Sequence, residues 1–296
     1  MRSNYFIEEL INLSESSIIE TVKKSDFLLK KDGQKRSIDK LIDDSDVSSV
    51  HSYNISCFDE LDEVFNEILE LLDDMQEERA FTITLDISLL SRKVVAEIMS
   101  FVAKQSKKHD IELCIVYELV KYKAPSRSNS SNNAVKPVNR FYNGWSHKPG
   151  LPVLTIVGLG YEKDKALGAI EYVESSSSLI FLPNSIEEKY REDVDKVNHN
   201  ILSVTSKQNK IEYDVGNPVQ AIFSIESLIN ANKSKYKIVL FPFGPKIHFA
   251  CSLIAAIAHP ETSVWYVSGE DNDKNSSQDR DVAALIGFSC KIKGKR

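Results

Sequence analysis

From Phe81 onward, short runs rich in Val, Ile and Leu alternate with longer segments whose apolar residues recur at three- and four-residue steps. That alternation restricts the fold more than any other feature of the chain. "FTITLDIS", "IELCIVYELV", "LPVLTIVGL", "SLIFLPN", "KIEYDV", "KIVLFPF" and "SVWYVSG" have the length and residue types of strands, most of them apolar enough to need cover on both faces. "SRKVVAEIMSFVAKQSKKH", "EKDKALGAIEYVE", "SIEEKYREDVDKVNHNIL", "PVQAIFSIESLINA" and "PKIHFACSLIAAIA" lie between them with helical spacing. Strands and helices in this order build parallel sheets with helices on their faces. The class expected is therefore α/β, a Rossmann-like doubly wound parallel sheet in two units, with one continuous sheet of eight or nine strands as the alternative.

The expected organisation has four parts. Residues 1–47, with the apolar clusters "YFIEELINL" and "IIETVKKSDFLL" before a polar loop "KKDGQKRS", read as a helical or partly ordered lead-in. Residues 48–120 form a first unit, opened by the strand "VHSYNISCF" and a helix over 58–79. Phe58, Leu61, Val64, Phe65, Ile68, Leu72 and Met75 share one face of that helix. Its acidic remainder reads as a solvated face, or else as a docking surface for a basic partner. Residues 121–150, rich in Ser, Asn, Pro and Gly, are a long loop or linker. Residues 151–296 form the second unit, with "AALIGFSCKI" as an edge strand and "KGKR" in solvent.

A formal charge of −6 and a pI near 5.6 argue against a general nucleic-acid coat, although a local basic groove stays open. Arg127, Lys136, Arg140 and Lys148 with Phe141, Tyr142 and Trp145 in the long loop are where one would lie. Cys57, Cys114, Cys251 and Cys290 are far apart and read as small hydrophobes in a reducing compartment. No run reaches the roughly 18 apolar residues of a membrane span, and "MRSNYFIEELINLSESS" lacks the apolar core of a signal peptide, so the expected location is cytoplasmic. The histidines show no H-x-x-x-H or H-E-x-x-H spacing, and no metal site is expected.

Open parallel sheets bind ligands beyond the carboxyl ends of their strands, near the point where strand order reverses. The residues just after each strand are therefore the ones that matter. In "LDISLLSR", Asp86 ends a strand while Ser88, Ser91 and Arg92 stand at the next helix start, a place for a phosphate with Asp86 on a hydroxyl or metal. Capping of the helix by Asp86 or Ser88 is the plainer use. "VGLGYEKDKALG" sets Gly158 and Gly160 after a strand, but Lys163 replaces the third glycine of a dinucleotide fingerprint. Glu162 follows, an acid suited to a helix start. In "FPFGPK", Gly244 and Pro245 suit a turn and first helical residue, and Lys246 puts a cation where the helix dipole opposes it unless an anion lies between. Tyr117, Glu118, Pro183, Asn184, Asp214 and Ser268 to Glu270 complete the strand ends.

On "DISLLSR", "VGLGYEKDKALGAIEYVE" and "FPFGPKIHFACSLIAAIA" the chain resembles bacterial Rossmann-like proteins of defence loci. More distantly, "GPKIHFACSLIAAIA" looks like the glycine-lysine helix start of CARF-type domains, which sense cyclic oligonucleotides. A threonine usually stands between that glycine and lysine, where this chain has Pro245. The resemblance spans residues 80 to 270 and implies sensing of a nucleotide-like ligand in antiviral defence.

The leading expectation is binding of a phosphorylated, nucleotide-like ligand, with the bound state passed to a protein partner or a second copy. The expected ligand residues are Asp86, Ser88 and Arg92 on one side and Gly158, Gly160, Glu162, Gly244 and Lys246 on the other. A hydrolase or transferase acting on a nucleotide or nucleic acid, with Asp86, Glu162 or Asp214 as acid, base or metal ligand, is the second reading. A structural subunit of a defence complex is the third. The sequence names no cofactor.

Overall fold

The computed structural model describes residues 5–32, 49–74, 80–122, 134–144, 150–268 and 281–295. Met75 and the end of the 58–79 helix, the polar loop after Asp32, Arg127, Trp145, Lys148 and the strand end at Gly269 and Glu270 lie outside them. In chain order the elements are β1 (Tyr5–Leu13), α1 (Glu15–Lys24), β2 (Phe27–Lys30), β3 (His51–Asn54), α2 (Leu61–Asp74), β4 (Phe81–Asp86), α3 (Arg92–Gln105) and β5 (Ile111–Val120). They continue with β6 (Ala134–Pro137), β7 (Val153–Gly158), α4 (Lys165–Tyr172), β8 (Ser177–Asn184), α5 (Glu188–Val197), α6 (His199–Val204) and β9 (Lys210–Asp214). The last are α7 (Pro218–Asn232), β10 (Lys237–Pro242), α8 (Lys246–Ala258), β11 (Ser263–Ser268) and β12 (Val282–Gly294).

The fold is α/β with two six-stranded sheets, in the orders β1-β12-β5-β4-β2-β3 and β6-β11-β10-β7-β8-β9. Each sheet centres one compact unit, the first holding residues 5–121 with 281–295 and the second 122–268. In the second sheet β7 to β11 are parallel neighbours, in the reversing order 3-2-1-4-5 of a Rossmann fold, and β6 adds an antiparallel edge. In the first sheet β3, β2, β4 and β5 are parallel, whereas β12 and β1 run antiparallel to their neighbours.

Two expectations about the first unit are corrected. The described part of the 1–47 lead-in, residues 5–32, is a strand, a helix and a strand whose two strands belong to the first sheet, where β2 lies between β3 and β4. Ser14 caps α1 by accepting from Ser17 N at 3.2 Å, and Ile18 and Val22 bury its inner face. "YFIEELINL" has good helix formers, yet pairing with β12 holds it extended, with a bulge between Glu8 and Ile11 and Glu9 at φ 50°. Tertiary context overrides a weak local preference here.

The second correction concerns β12, which is not an edge strand of the second unit. It lies between β1 and β5 in the first sheet, so the split at residue 150 misassigns it. Ile286, Phe288, Cys290 and Ile292 are buried along it. Lys291 donates to Glu9 at 2.6 Å, and Lys293, expected in solvent, pairs with Glu8 at 3.1 Å, so both make cross-strand ion pairs. The Glu9 carboxylate raises the Lys291 pKa through that hydrogen bond.

In the second unit, α8 is apolar on every side, with all of Ile247 to Ile257 buried, as a helix covered on both flanks must be. The 121–150 segment is not loop throughout, since β6 joins β11 and Tyr142 is fully buried beyond it. Cys114, Cys251 and Cys290 are buried, and desolvation raises all three thiol pKa values, as inert core residues require. Among the described residues, no helix is long and apolar enough to cross a membrane.

Candidate functional site

The nine expected site residues fall into two groups, one on each sheet. Asp86, Ser88 and Arg92 belong to the first unit, and Gly158, Gly160, Glu162, Asp214, Gly244 and Lys246 to the second.

In the first sheet strand order reverses between β2 and β4, whose carboxyl ends carry Lys30 and Asp86. Asp86 is 4% exposed, and its Oδ1 accepts from Ser88 N at 2.9 Å and from Ser88 Oγ. Ser88 Oγ in turn accepts from Glu118 N at 2.9 Å. Together they close a turn after β4 and tie it to β5. Neither caps α3. Ser91 does so, accepting from Val94 N at 3.3 Å, and Arg92 is the first helical residue, partly buried.

Two buried charges at this edge carried weaker signals. Lys30 ends β2 at 8% exposure and pairs with Asp32 at 2.9 Å, while Asn54 donates to the other Asp32 oxygen at 2.8 Å. Glu118 is 2% exposed near the end of β5. An acid inside the apolar run "IELCIVYELV" was the readable sign of it.

The second sheet reverses between β7 and β10, and there the two glycine loops meet. A Cβ on Gly160 would stand 2.4 Å from Gly244 Cα and 2.3 Å from Glu162 Oε2. Gly244 has φ +82°, and a Cβ on it would stand 2.3 Å from the Leu159 carbonyl oxygen. The backbones of 158–160 and 243–245 are thus pressed together at the carboxyl ends of β7 and β10, where the strand order reverses. Pro245 is the N-cap of α8 with φ −59° and ψ 137°, one residue earlier than expected, and Lys246 opens the helix. Gly158 answers to a different need. The His248 ring fills its space, with Cδ2 and Nε2 at 2.4 and 2.5 Å from a Cβ built there. His248 is 2% exposed and stacks on Tyr213 at 4.5 Å, so it faces the sheet.

The loop after β7 is held from a distance. Asn198, 2% exposed between α5 and α6, donates through Nδ2 to the Gly160 carbonyl at 2.7 Å and to Val194 O at 2.9 Å. Asn200 donates to Asp164 Oδ1 at 3.0 Å, and Asp164 is left-handed at φ 58° before α4. Glu162 therefore lies in the turn ahead of α4, not inside its first turn. Asn198 is the anchor that sequence reading missed, because "VNHNIL" gives no hint that its amide reaches Gly160. Asn198→Ala removes the side-chain donor from the Gly160 carbonyl, while Val194 O keeps the backbone N–H of residue 198, and is expected to cost about 1–3 kcal/mol, read by thermal unfolding. Asp214 ends β9 and is exposed, and its Oδ1 accepts from Gly216 N at 2.8 Å, which braces the turn that follows.

Among the described residues, no group of three or more His, Cys, Asp or Glu is placed to hold a metal ion. No protein-family model and no curated protein matches the chain.

Proposed function

We propose that the second unit binds a phosphorylated, nucleotide-like ligand at the carboxyl ends of β7 and β10 and passes the bound state to a protein partner. One observation carries this reading: the Gly160 and Gly244 loops meet where the strand order reverses, with Lys246 at the start of the helix that leaves the crossing. Ligands in open α/β sheets collect at such a reversal, and the first amides of a helix favour an anion. A lysine there adds charge against the helix dipole, a mild cost that a bound phosphate removes. The likeness of the α8 start to CARF-type domains, and of the wider stretch to defence-locus proteins, supports sensing in antiviral defence.

Calorimetric titration with adenosine and guanosine mono- and triphosphates and with cyclic dinucleotides tests the reading. At least one is expected to bind, and Lys246→Ala is expected to weaken it ten- to a hundredfold, the loss of about 1.5–3 kcal/mol for a charge-assisted hydrogen bond. Unchanged affinity in Lys246→Ala removes α8 from the site.

A further inference from the structure

We propose that Glu162 is an internal occupant of the anion position, so that the unliganded second unit blocks its own crevice and a ligand phosphate must displace a carboxylate. The proposal rests on the nucleotide reading of this crevice. Among the described residues, Glu162 Oε2 is buried and has no hydrogen-bond partner. It stands 2.3 Å from the point where a Gly160 Cβ would lie, and that same point is 2.4 Å from Gly244 Cα. The carboxylate therefore lies at the crossing of the two loops, beside the segment that leads into Lys246 and α8. That is where a phosphate would be drawn.

A bracing role accounts poorly for this placement. Acids that brace turns here spend an oxygen on a donor, as Asp86 does on Ser88 and Asp214 on Gly216. The loop already has its braces in Asn198 and Asn200. A carboxylate oxygen buried without a donor is costly, so the blocked state lies only slightly below the open one and a ligand can tip the balance. Moving the side chain out of the crevice returns the carboxylate to water and vacates the position together. A ligand that binds only the vacated state shifts the population toward it, and its apparent affinity is lowered by the fraction that is blocked.

Glu162→Gln and Glu162→Ala, titrated with the same nucleotides and with inorganic phosphate, test the proposal. Glu162→Ala is expected to bind about tenfold tighter than the parent protein, with Glu162→Gln between them. Glu162→Gln is also expected to unfold at a higher temperature without ligand, since a neutral amide is less costly to bury than a carboxylate. Binding that appears only in the variants supports the block most strongly. If the parent protein binds a nucleotide in a Lys246-dependent manner and Glu162→Ala binds it equally or more weakly, the block is wrong while the site stands. If folded parent and variants all bind none of the probes, the nucleotide reading falls and the block falls with it.

Discussion

Gly244→Ala is expected to destabilise the second unit by about 3 kcal/mol or more, the combined cost of a left-handed non-glycine residue and of forced backbone movement. The two penalties arise at one atom. At φ +82° any Cβ is strained, and this one would stand 2.3 Å from the Leu159 carbonyl oxygen, which belongs to the opposing loop. No side-chain rotation relieves a clash between Cβ and backbone, so β7 and β10 must part at their carboxyl ends. For a unit of this size the loss corresponds to a fall in melting temperature of roughly 6–12 °C. Gly150→Ala is the control: no atom of the described residues lies within 4 Å of the added Cβ, and the change is expected to stay within about 0.5 kcal/mol. Equal melting temperatures for the two variants would mean that the glycine loops do not meet.

That prediction joins what was readable in the sequence to what was not. "FPFGPK" marks a turn by its own residue types, and Gly244 indeed takes the left-handed backbone that such a turn uses. Nothing near it in sequence says that its partner is Leu159, because the contact spans three crossovers of the sheet. Gly158 shows the same limit more sharply. Its spacing from Gly160 looks like a phosphate loop, yet its hydrogen atom makes room for His248, ninety residues on. The periodic elements were legible because hydrophobic spacing is a local property. "IELCIVYELV" is β5 from end to end, and "PVQAIFSIESLINA" is α7 to within one residue. Where an element's role depends on a distant partner, local spacing is silent, and the lead-in was misjudged for that reason. Asp86 accepts from Ser88, and Ser88 accepts from the Glu118 N–H on β5, a partner thirty residues on that no local pattern announces.

The strand at the end of the chain gives the same lesson a measurable size. Phe288→Ala is expected to cost the first unit about 3–5 kcal/mol, the usual range for emptying a buried aromatic site in a core. Phe288 is fully buried, its neighbours in register are Ile115 on β5 and Asn12 on β1, and both strands lose packing when the ring is removed. Phe6 on β1 is the comparison. It is 48% exposed on the strand that closes the sheet, and Phe6→Ala is expected to cost less than about 1 kcal/mol. The expectation of an edge strand would give the two substitutions similar costs, because a strand paired on one side buries little. Denaturant unfolding of both variants separates these cases. A difference above about 2 kcal/mol places β12 inside the sheet, and comparable midpoints with unchanged slopes would return it to the edge. The result also bears on domain organisation. If Val282–Gly294 completes the first sheet, that unit folds only when the chain returns to it after the whole of the second unit. Pairing over such a separation pays its loop-closure entropy before β12 contributes any contact, so refolding of the first unit is expected to be the slower of the two.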